Sequence, residues 1–410
     1  MRTDLREDEF SEIYRAFTGL FPDKPWLKRV SNLQHQINET PTVQSLLWKQ
    51  NVLAYGLEAF DRHGKSPEPE VWEATKQAMV FAAQIVQVCG DSAPENARKL
   101  CRRVLHAINK PDGARGLRFE LSVATHLSRE GCGITWMEED NGVETFDMLA
   151  TIPGVGAVEV ECKSLSVDKG ESLTEEVFYA LTHRLLPLIE PKLPELKRHF
   201  YGISITFTDK VSESAAELAQ LAAELADAVS AGERELVGVC TINLRLCNLQ
   251  SMQHEPSVDE LITFANEQLG IDPGYRVIKS LGDQGYLVID VQSLVPSKFD
   301  AALGKVAKDA VRKQMTGKRP GCLVIRVERH SGPTLEAFAE EEINSLARRA
   351  TKLLGNPDNA HLAAVVFVSA PSLERTSESS ESEQSRTYVF DSPSEEHQSL
   401  GLSRIFGVAN

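Results

Sequence analysis

The spacing of apolar residues changes near residue 110, and this change constrains the fold more than any other feature of the chain. The segments 71–89 and 95–109 have apolar positions at every third or fourth residue, a pattern that predicts helices. Beyond this point, short segments with alternating apolar and polar residues appear, and these predict strands. At 410 residues the chain also exceeds what one hydrophobic core usually supports. We therefore expect a mixed α/β protein with a helical N-terminal domain over residues 1–110.

The hundred residues after this point predict a defined order of elements. The segment NKPDGARG at 109–116 is rich in Pro and Gly, so it predicts a loop at a domain boundary. PGVG at 153–156 predicts a hairpin turn, and Ser172 with Glu175 has capping-box spacing. In chain order, the predicted elements are a helix at 115–130, strands at 133–138, 145–152 and 157–165, a helix from about Ser172, and a strand at 200–208. This order, α-β-β-β-α-β, predicts a core over residues 111–210.

The remaining residues, 211–410, predict a C-terminal α/β region that either extends this core or forms a separate domain. The segment 213–230 predicts an amphipathic helix. Strands are predicted at 236–246, 285–291, 321–328 and 362–369. Residues 372–386 are rich in Ser and Glu, which favours a surface loop.

Several classes of protein are disfavoured by composition and motif content. The longest apolar stretch, near 362–368, is shorter than the roughly 18 residues of a membrane span, so no membrane association is expected. The N-terminus carries charges where a signal peptide is apolar, which predicts a cytoplasmic protein. The seven cysteines lack the spacing of a zinc site, so no structural zinc is expected. The sequence contains no G-x-x-x-x-G-K-[ST] motif, so no ATP site is expected either.

The net charge of −15 argues against binding to nucleic acid, because phosphate contacts need local positive charge. The acidity is uneven, however. Residues 111–300 carry 15 Lys and Arg against 31 Asp and Glu, whereas the two flanking regions are nearly neutral. Some of these clustered carboxylates are therefore candidates for metal ligands.

Acidic residues gather on two predicted strands and on the helix before them. Alternation along AVEVECKSL places Glu159, Glu161 and Lys163 on one face of the third strand. A short turn at PGVG brings the second strand alongside, with Asp147 close to Glu161. In the preceding helix, Glu120 continues the apolar stripe, a costly position for a carboxylate without a partner. The pattern also has explanations without a functional site: a solvated strand face for the acids, a strand-edge charge for Lys163, and a salt bridge from Glu120 to Arg115 or Arg118.

Asp147, then Glu161-Cys162-Lys163, after a helix bearing Glu120, resembles the PD-(D/E)XK phosphodiesterase superfamily with its restriction-endonuclease-like core. The predicted order α-β-β-β-α-β over about 113–210 resembles that core too. This covers roughly a quarter of the chain. Phe146 stands where the family usually has proline before the first acid. Because the nuclease-like core has long flanking regions that resemble no family, the chain resembles, by analogy, a restriction or anti-phage defence effector.

The resemblance implies a Mg²⁺- or Mn²⁺-dependent nuclease acting on DNA, with RNA as an open alternative. It implies Asp147, Glu161 and the main-chain carbonyl of Cys162 as metal ligands, with Glu120 holding a metal-bound water or a second site. Lys163 is implied to orient the attacking water or to neutralise charge on the phosphate. Glu159 faces the same way, so it is a possible accessory ligand.

A basic segment at 305–319 is a second, weaker candidate. Lys305, Lys308 and Arg312 share a helix face, and Lys313 follows, which suits phosphate contact, although a solvated basic face explains the pattern slightly better. Arg102 and Arg103 are weaker candidates of the same kind. Three hypotheses remain open: an active nuclease, an inactive nuclease fold serving as a binding or assembly scaffold, and a nuclease that a partner or ligand activates. A homo-oligomer or a protein partner also remains open.

Overall fold

The computed structural model describes residues 5–39, 44–109, 111–137, 146–249, 256–270, 275–328, 335, 346–370, 372–377 and 380–407. The protein is mixed α/β, as the sequence predicts. Contacts divide it into two compact units, which are described separately. Unit 1 comprises 1–34, 48–167 and 300–410, and unit 2 comprises 35–47 and 168–299.

Helices occupy most of the chain before residue 130 and alternate with strands after it. In chain order the described helices are α1 (Phe10–Leu20), α2 (Pro25–Glu39), α3 (Gln44–Gln50), α4 (Val52–His63), α5 (Pro69–Asp91), α6 (Pro94–Asn109), α7 (Pro111–Arg129), α8 (Glu175–Ile189), α9 (Ala215–Ala231), α10 (Val258–Leu269), α11 (Phe299–Lys313), α12 (Leu346–Leu354), α13 (Glu395–Gln398) and α14 (Leu402–Phe406).

The strands follow the same chain order. They are β1 (Leu5–Arg6), β2 (Gly133–Trp136), β3 (Met148–Ile152), β4 (Gly156–Leu165), β5 (His199–Phe207), β6 (Glu235–Leu236), β7 (Cys240–Asn248), β8 (Tyr275–Ser280), β9 (Gly285–Ser293), β10 (Gly321–Val327), β11 (Leu362–Ser369), β12 (Ser372–Ser377), β13 (Ser380–Gln384) and β14 (Thr387–Asp391).

Unit 1 contains a six-stranded sheet in the order β14-β11-β10-β4-β3-β2. The strands β4, β10 and β11 run parallel, and β2, β3 and β14 are antiparallel to their neighbours. The predicted hairpin between β3 and β4 is confirmed, with Ile152 opposite Gly156 and Gly154 at a φ of 73°, a conformation that glycine adopts without strain. One face of the sheet packs on α7 through buried side chains that include Phe119, Ala124 and Val160. Thus β4 is a central strand covered on both faces.

Unit 2 has its own five-stranded sheet in the order β6-β7-β5-β9-β8. The helices α8 and α9 bury Phe178, Leu185 and Leu225 against it. The predicted helix at 213–230 is confirmed as α9. The N-cap of α8 is Thr174, whose side chain accepts from the Val177 amide, so the expected capping box at Ser172 is not formed. Ser172 instead hydrogen-bonds Ser293.

The predicted division of the chain differs from the structure in two places. The strand expected to complete the core at 200–208 is β5, which pairs with β7 and β9 in unit 2, whereas β4 pairs with β10. The expected loop at 109–116 is largely the start of α7, because a proline at the first helical position costs no hydrogen bond. The helices α6 and α7 also belong to one unit, so no boundary falls at residue 110.

The Ser- and Glu-rich segment also differs from its prediction. The strands β12 and β13 pair antiparallel there, and β1 pairs with β13. Strand pairing satisfies main-chain hydrogen bonds whatever the side chains are, so a polar sequence can form a ladder. The first residues of the strand predicted at 145–152 also change: position 145 lies outside the described residues, and β3 begins at Met148.

Candidate metal and phosphate site

The candidate site lies at the N-terminal end of β3. The ladder between β3 and β4 pairs Met148 with Val160, so Cys162 lies beyond the last paired residue. Asp147 lies just before β3, and its Oδ2 accepts a hydrogen bond of 2.7 Å from the Cys162 amide. A carboxylate thus replaces the missing strand and satisfies a main-chain donor that would be costly to leave unpaired. This contact fixes Asp147 beside Glu161.

The main-chain carbonyl of Cys162 faces the same edge of β4. Main-chain groups along a strand point alternately to its two neighbours, and both groups of one residue point the same way. The Glu159 amide donates to Pro320 beside β10, so the odd-numbered residues face β10 and Cys162 faces β3. The Cys162 carbonyl is therefore directed toward Asp147, which agrees with the ligand position that the resemblance implies.

Glu161 is a fully buried carboxylate at the centre of the sheet, with 0% of its surface exposed. The Lys163 ammonium lies 2.5 Å from its Oε1, but in a direction that does not form a hydrogen bond, and neither Glu161 oxygen has another hydrogen-bond donor among the described residues. Burial, with the charge of Asp147 added, raises the pKa of Glu161 to about 8 although Lys163 opposes the shift. The negative charge here is poorly compensated.

Lys163 is held by the acids around it. Its side chain is 27% exposed, and burial alone opposes its charge, but the Glu161 and Asp147 carboxylates outweigh burial and raise the pKa of Lys163. At Lys163, β4 pairs with Ile325 of β10 on one side, whereas β3 reaches only to Met148, opposite Val160, so the other side of β4 has no strand partner there among the described residues. Lys163 therefore lies at an open edge of β4, close to the Glu161 and Asp147 carboxylates.

Glu120 reaches the same site from α7. It is buried, with 8% exposed, between the buried side chains of Leu117 and Ala124, as the apolar stripe predicts. Its Oε2 accepts a hydrogen bond of 2.5 Å from Nη2 of Arg103 on α6. The salt-bridge partner is therefore Arg103 rather than Arg115 or Arg118. Burial and the Asp147 charge raise the pKa of Glu120 to about 7, against the effect of Arg103.

The structure brings the four predicted catalytic residues into one electrostatic cluster. Asp147 raises the pKa of both Glu120 and Glu161, and Lys163 lowers both. Three carboxylates thus share two nearby cations, Lys163 and Arg103. Burial is the largest cause of the raised pKa of Glu120 and of Glu161, and the two cations oppose it. An additional cation would stabilise the ionised cluster.

Glu159, the proposed accessory ligand, makes a different set of contacts. Its Oε2 accepts from the Thr316 amide at 2.8 Å, and its Oε1 accepts from the Thr316 hydroxyl and, at 3.3 Å, from Arg319. Both oxygens are therefore used to hold the loop between α11 and β10. The prediction that Glu159 joins the cluster is not supported by this geometry, and no pattern in the sequence indicates Thr316 as its partner.

The basic segment forms α11, and its charged side chains have mixed environments. Leu303, Ala307 and Val311 are buried, and the four predicted phosphate contacts lie on the exposed part of the helix: Lys305, Lys308, Arg312 and Lys313. Arg312 pairs with Asp358 at 3.0 Å, and Lys313 pairs with Asp309 at 3.0 Å. Lys305 and Lys308 are therefore the better candidates for contact with a phosphate.

The carboxylate and carbonyl oxygens of this site are ligands that a hard divalent cation prefers. In the present geometry, however, they do not form a complete ligand set. Within the described ranges, no group of three or more Asp, Glu, His or Cys side chains is arranged to hold a metal ion. Glu120 and Glu161 face Arg103 and Lys163 in this arrangement. The buried Glu161 oxygens without hydrogen-bond donors are the strongest sign that a further cation fits here.

Comparisons with family models, with curated proteins and with solved structures gave no match. Among the helices of the described residues, none is long and apolar enough to cross a bilayer. The case for a function therefore depends on the site itself.

Proposed function

We propose that this chain is a metal-dependent phosphodiesterase that hydrolyses DNA, with RNA as a second candidate substrate. The observation that carries the proposal is the buried Glu161 carboxylate, which accepts no hydrogen bond from the described residues and lies beside Lys163 and Asp147 at the N-terminal end of β3. A buried acid with a raised pKa and a specific charge partner is characteristic of functional sites. Asp147, Glu161, the Cys162 carbonyl and Glu120 supply the oxygen ligands for Mg²⁺ or Mn²⁺.

In the proposed reaction the oxygen of a water molecule bonds to phosphorus, the bond to the leaving oxygen breaks, and that oxygen takes up a proton. A divalent ion held by Asp147, Glu161 and the Cys162 carbonyl would polarise the phosphate and lower the pKa of the attacking water. Lys163 directs its ammonium toward the site, where it neutralises charge that develops on the phosphate oxygens. The attacking water gives up its proton to solvent, since the Glu120 carboxylate is a ligand of the ion in this proposal.

The strand order supports a modified form of the restriction-endonuclease-like core. The elements α7, β2, β3 and β4 follow the expected order α-β-β-β. The final helix and strand are then α11 and β10, since β10 pairs parallel with β4. In this proposal, residues 168–299 are an insertion that separates β4 from α11 along the chain, and they fold into unit 2.

The test compares wild-type protein with Lys163→Ala on supercoiled DNA, linear DNA and RNA, each with Mg²⁺ or Mn²⁺. We expect wild-type cleavage to depend on the metal and Lys163→Ala to lose at least about a hundredfold in rate. Lys279→Ala, which removes a partly exposed ion pair of unit 2, is the matched control and should cleave like wild type. Equal cleavage by wild type and Lys163→Ala would remove the assignment.

An inactive nuclease fold that acts as a scaffold is the second candidate. It is favoured by the lack of a complete metal-binding arrangement among the described side chains. Calorimetric titration with Mn²⁺ separates the two, because a scaffold of this kind binds no ion while it remains folded. Ion binding without cleavage would instead indicate a nuclease that awaits a partner or ligand.

A further inference from the structure

Among the described residues before α7, Arg103 is the one that an ion pair connects to the candidate site. It lies on α6, which packs against α7, and its Nη2 is 2.5 Å from Glu120 Oε2. The two side chains differ in exposure: Glu120 is buried, whereas the Arg103 side chain is 39% exposed. Arg103 can therefore turn toward solvent, and Glu120 cannot.

We propose that Arg103 is a counter-ion that the metal displaces from Glu120 and that, once released, binds a phosphate of the substrate. This inference rests on the proposed function. It assigns a role to the helical region: α6 supplies a cation that stabilises the site before the metal enters and holds the substrate afterwards.

Competition follows from the position of the ion pair. Glu120 can bind a divalent ion only with an oxygen that faces the ion, and Oε2 now accepts a charge-assisted hydrogen bond from Arg103. Two cations that use the same carboxylate oppose each other, so each weakens the binding of the other. Removal of Arg103 should therefore strengthen metal binding.

The second part of the proposal depends on the chemistry of the guanidinium group. Its planar set of donors matches a phosphate, and a released Arg103 remains next to the carboxylates that would hold the ion. The side chain is thus suited to bind the substrate phosphate beside the metal. Lysine at this position keeps the charge but loses the paired donors.

The experiment measures two quantities for wild type, Arg103→Ala and Arg103→Lys. For Arg103→Ala we expect Mn²⁺, titrated calorimetrically without DNA, to bind about fivefold to a hundredfold more tightly. At saturating Mn²⁺ we expect its KM for DNA to rise about tenfold. Arg103→Lys should give intermediate values for both. Arg98→Ala is the matched control, since Arg98 is an exposed arginine on α6, and it should leave Mn²⁺ affinity and KM unchanged.

An unchanged or weaker Mn²⁺ affinity of Arg103→Ala, or an unchanged KM, overturns the proposal. If Arg103→Ala unfolds without metal, a larger thermal shift with Mn²⁺ than wild type shows supports the competition, and Arg103→Lys then decides the effect on KM. Failure of the proposed function is distinguishable, because wild type would then bind no Mn²⁺ or would cleave no better than Lys163→Ala.

Discussion

The two large sheets of this protein each bury an acidic side chain, but they compensate its charge in different ways. In unit 2, Asp290 on β9 lies opposite Arg276 on β8. Nε and Nη2 of Arg276 lie 2.5 and 2.6 Å from the two Asp290 oxygens, and Nη1 also donates to Asn266. In unit 1, Glu161 has one ion-pair partner among the described residues, the ammonium of Lys163, and accepts no hydrogen bond from them. A pair with complete hydrogen bonds is suited to stability, whereas an incomplete one is suited to binding a further cation.

Burial raises the pKa of both acids, so burial alone does not separate the two regions. The number of hydrogen-bond donors to each acid does separate them. Glu159 reinforces this point, because it lies on the same strand as Glu161 and is equally buried, yet Thr316 and Arg319 donate to its oxygens. Substitutions in the two units should therefore have different consequences for stability and for Mn²⁺ binding.

Arg276→Ala should lower the free energy of unfolding of unit 2 by about 3–5 kcal/mol, because it leaves the Asp290 charge buried without its partner. Calorimetry is suited to the measurement, since the two units need not unfold in one transition. Mn²⁺ affinity should not change. Lys279→Ala, which removes a partly exposed pair, should cost no more than about 1 kcal/mol. A similar loss for both variants would contradict the special role of the Asp290 pair.

Glu161→Gln should raise the free energy of unfolding instead of lowering it. At pH 8 we expect the metal-free protein to gain on the order of 2 kcal/mol in unfolding free energy, since a neutral amide removes a buried and poorly compensated charge. The stabilisation of wild type by Mn²⁺ should disappear in this variant. The matched control is Glu159→Gln, which should destabilise by about 1–3 kcal/mol because the amide cannot accept all the present hydrogen bonds. If Glu161→Gln retains Mn²⁺ binding, Glu161 is not a ligand.

The pH dependence of stability should follow from the same carboxylates. The folded protein holds protons on Glu120 and Glu161 up to pH values near 7 and 8, whereas both acids in the unfolded chain lose them near 4.5. The folded state therefore binds more protons between these values, and the stability these groups provide falls as pH rises from about 5 to 8. We expect each acid to contribute about 1.4 kcal/mol per pH unit over the interval in which it is protonated only in the folded state.

This contribution is measured as the difference between wild type and the double variant Glu120→Gln/Glu161→Gln in denaturation at several pH values. Mn²⁺ affinity should rise over the same interval, because ligand carboxylates must lose their protons. A difference that is independent of pH would show that neither acid has a raised pKa.

Lys308→Ala should have the smallest effect. If the exposed face of α11 contacts one phosphate, DNA affinity falls less than about tenfold, and the slope of log affinity against log salt decreases by about 0.9. Binding is measured by fluorescence anisotropy at several salt concentrations. Lys197→Ala removes an exposed lysine of unit 2 and should leave the slope unchanged. The same slope for Lys308→Ala and wild type would assign α11 a purely structural role.

Local patterns in the sequence were sufficient to predict the cluster itself. The alternation in AVEVECKSL, the turn at 153–156 and the apolar stripe around Glu120 together place Asp147, Glu161 and Lys163 near α7. These signals are local, because each depends on residues that are adjacent or one helical turn apart. The partners that distinguish the acids are remote in sequence.

Local sequence patterns were enough to predict which residues lie on each strand face and that Glu120 of α7 points inward, since backbone geometry fixes both. Tertiary structure alone decided that β10 rather than β5 pairs with β4, that Arg103 is the partner of Glu120, and that Thr316 and Arg319 occupy Glu159. Strand pairing and ion pairing between distant segments depend on which faces become buried together, and no periodicity within one segment carries that information.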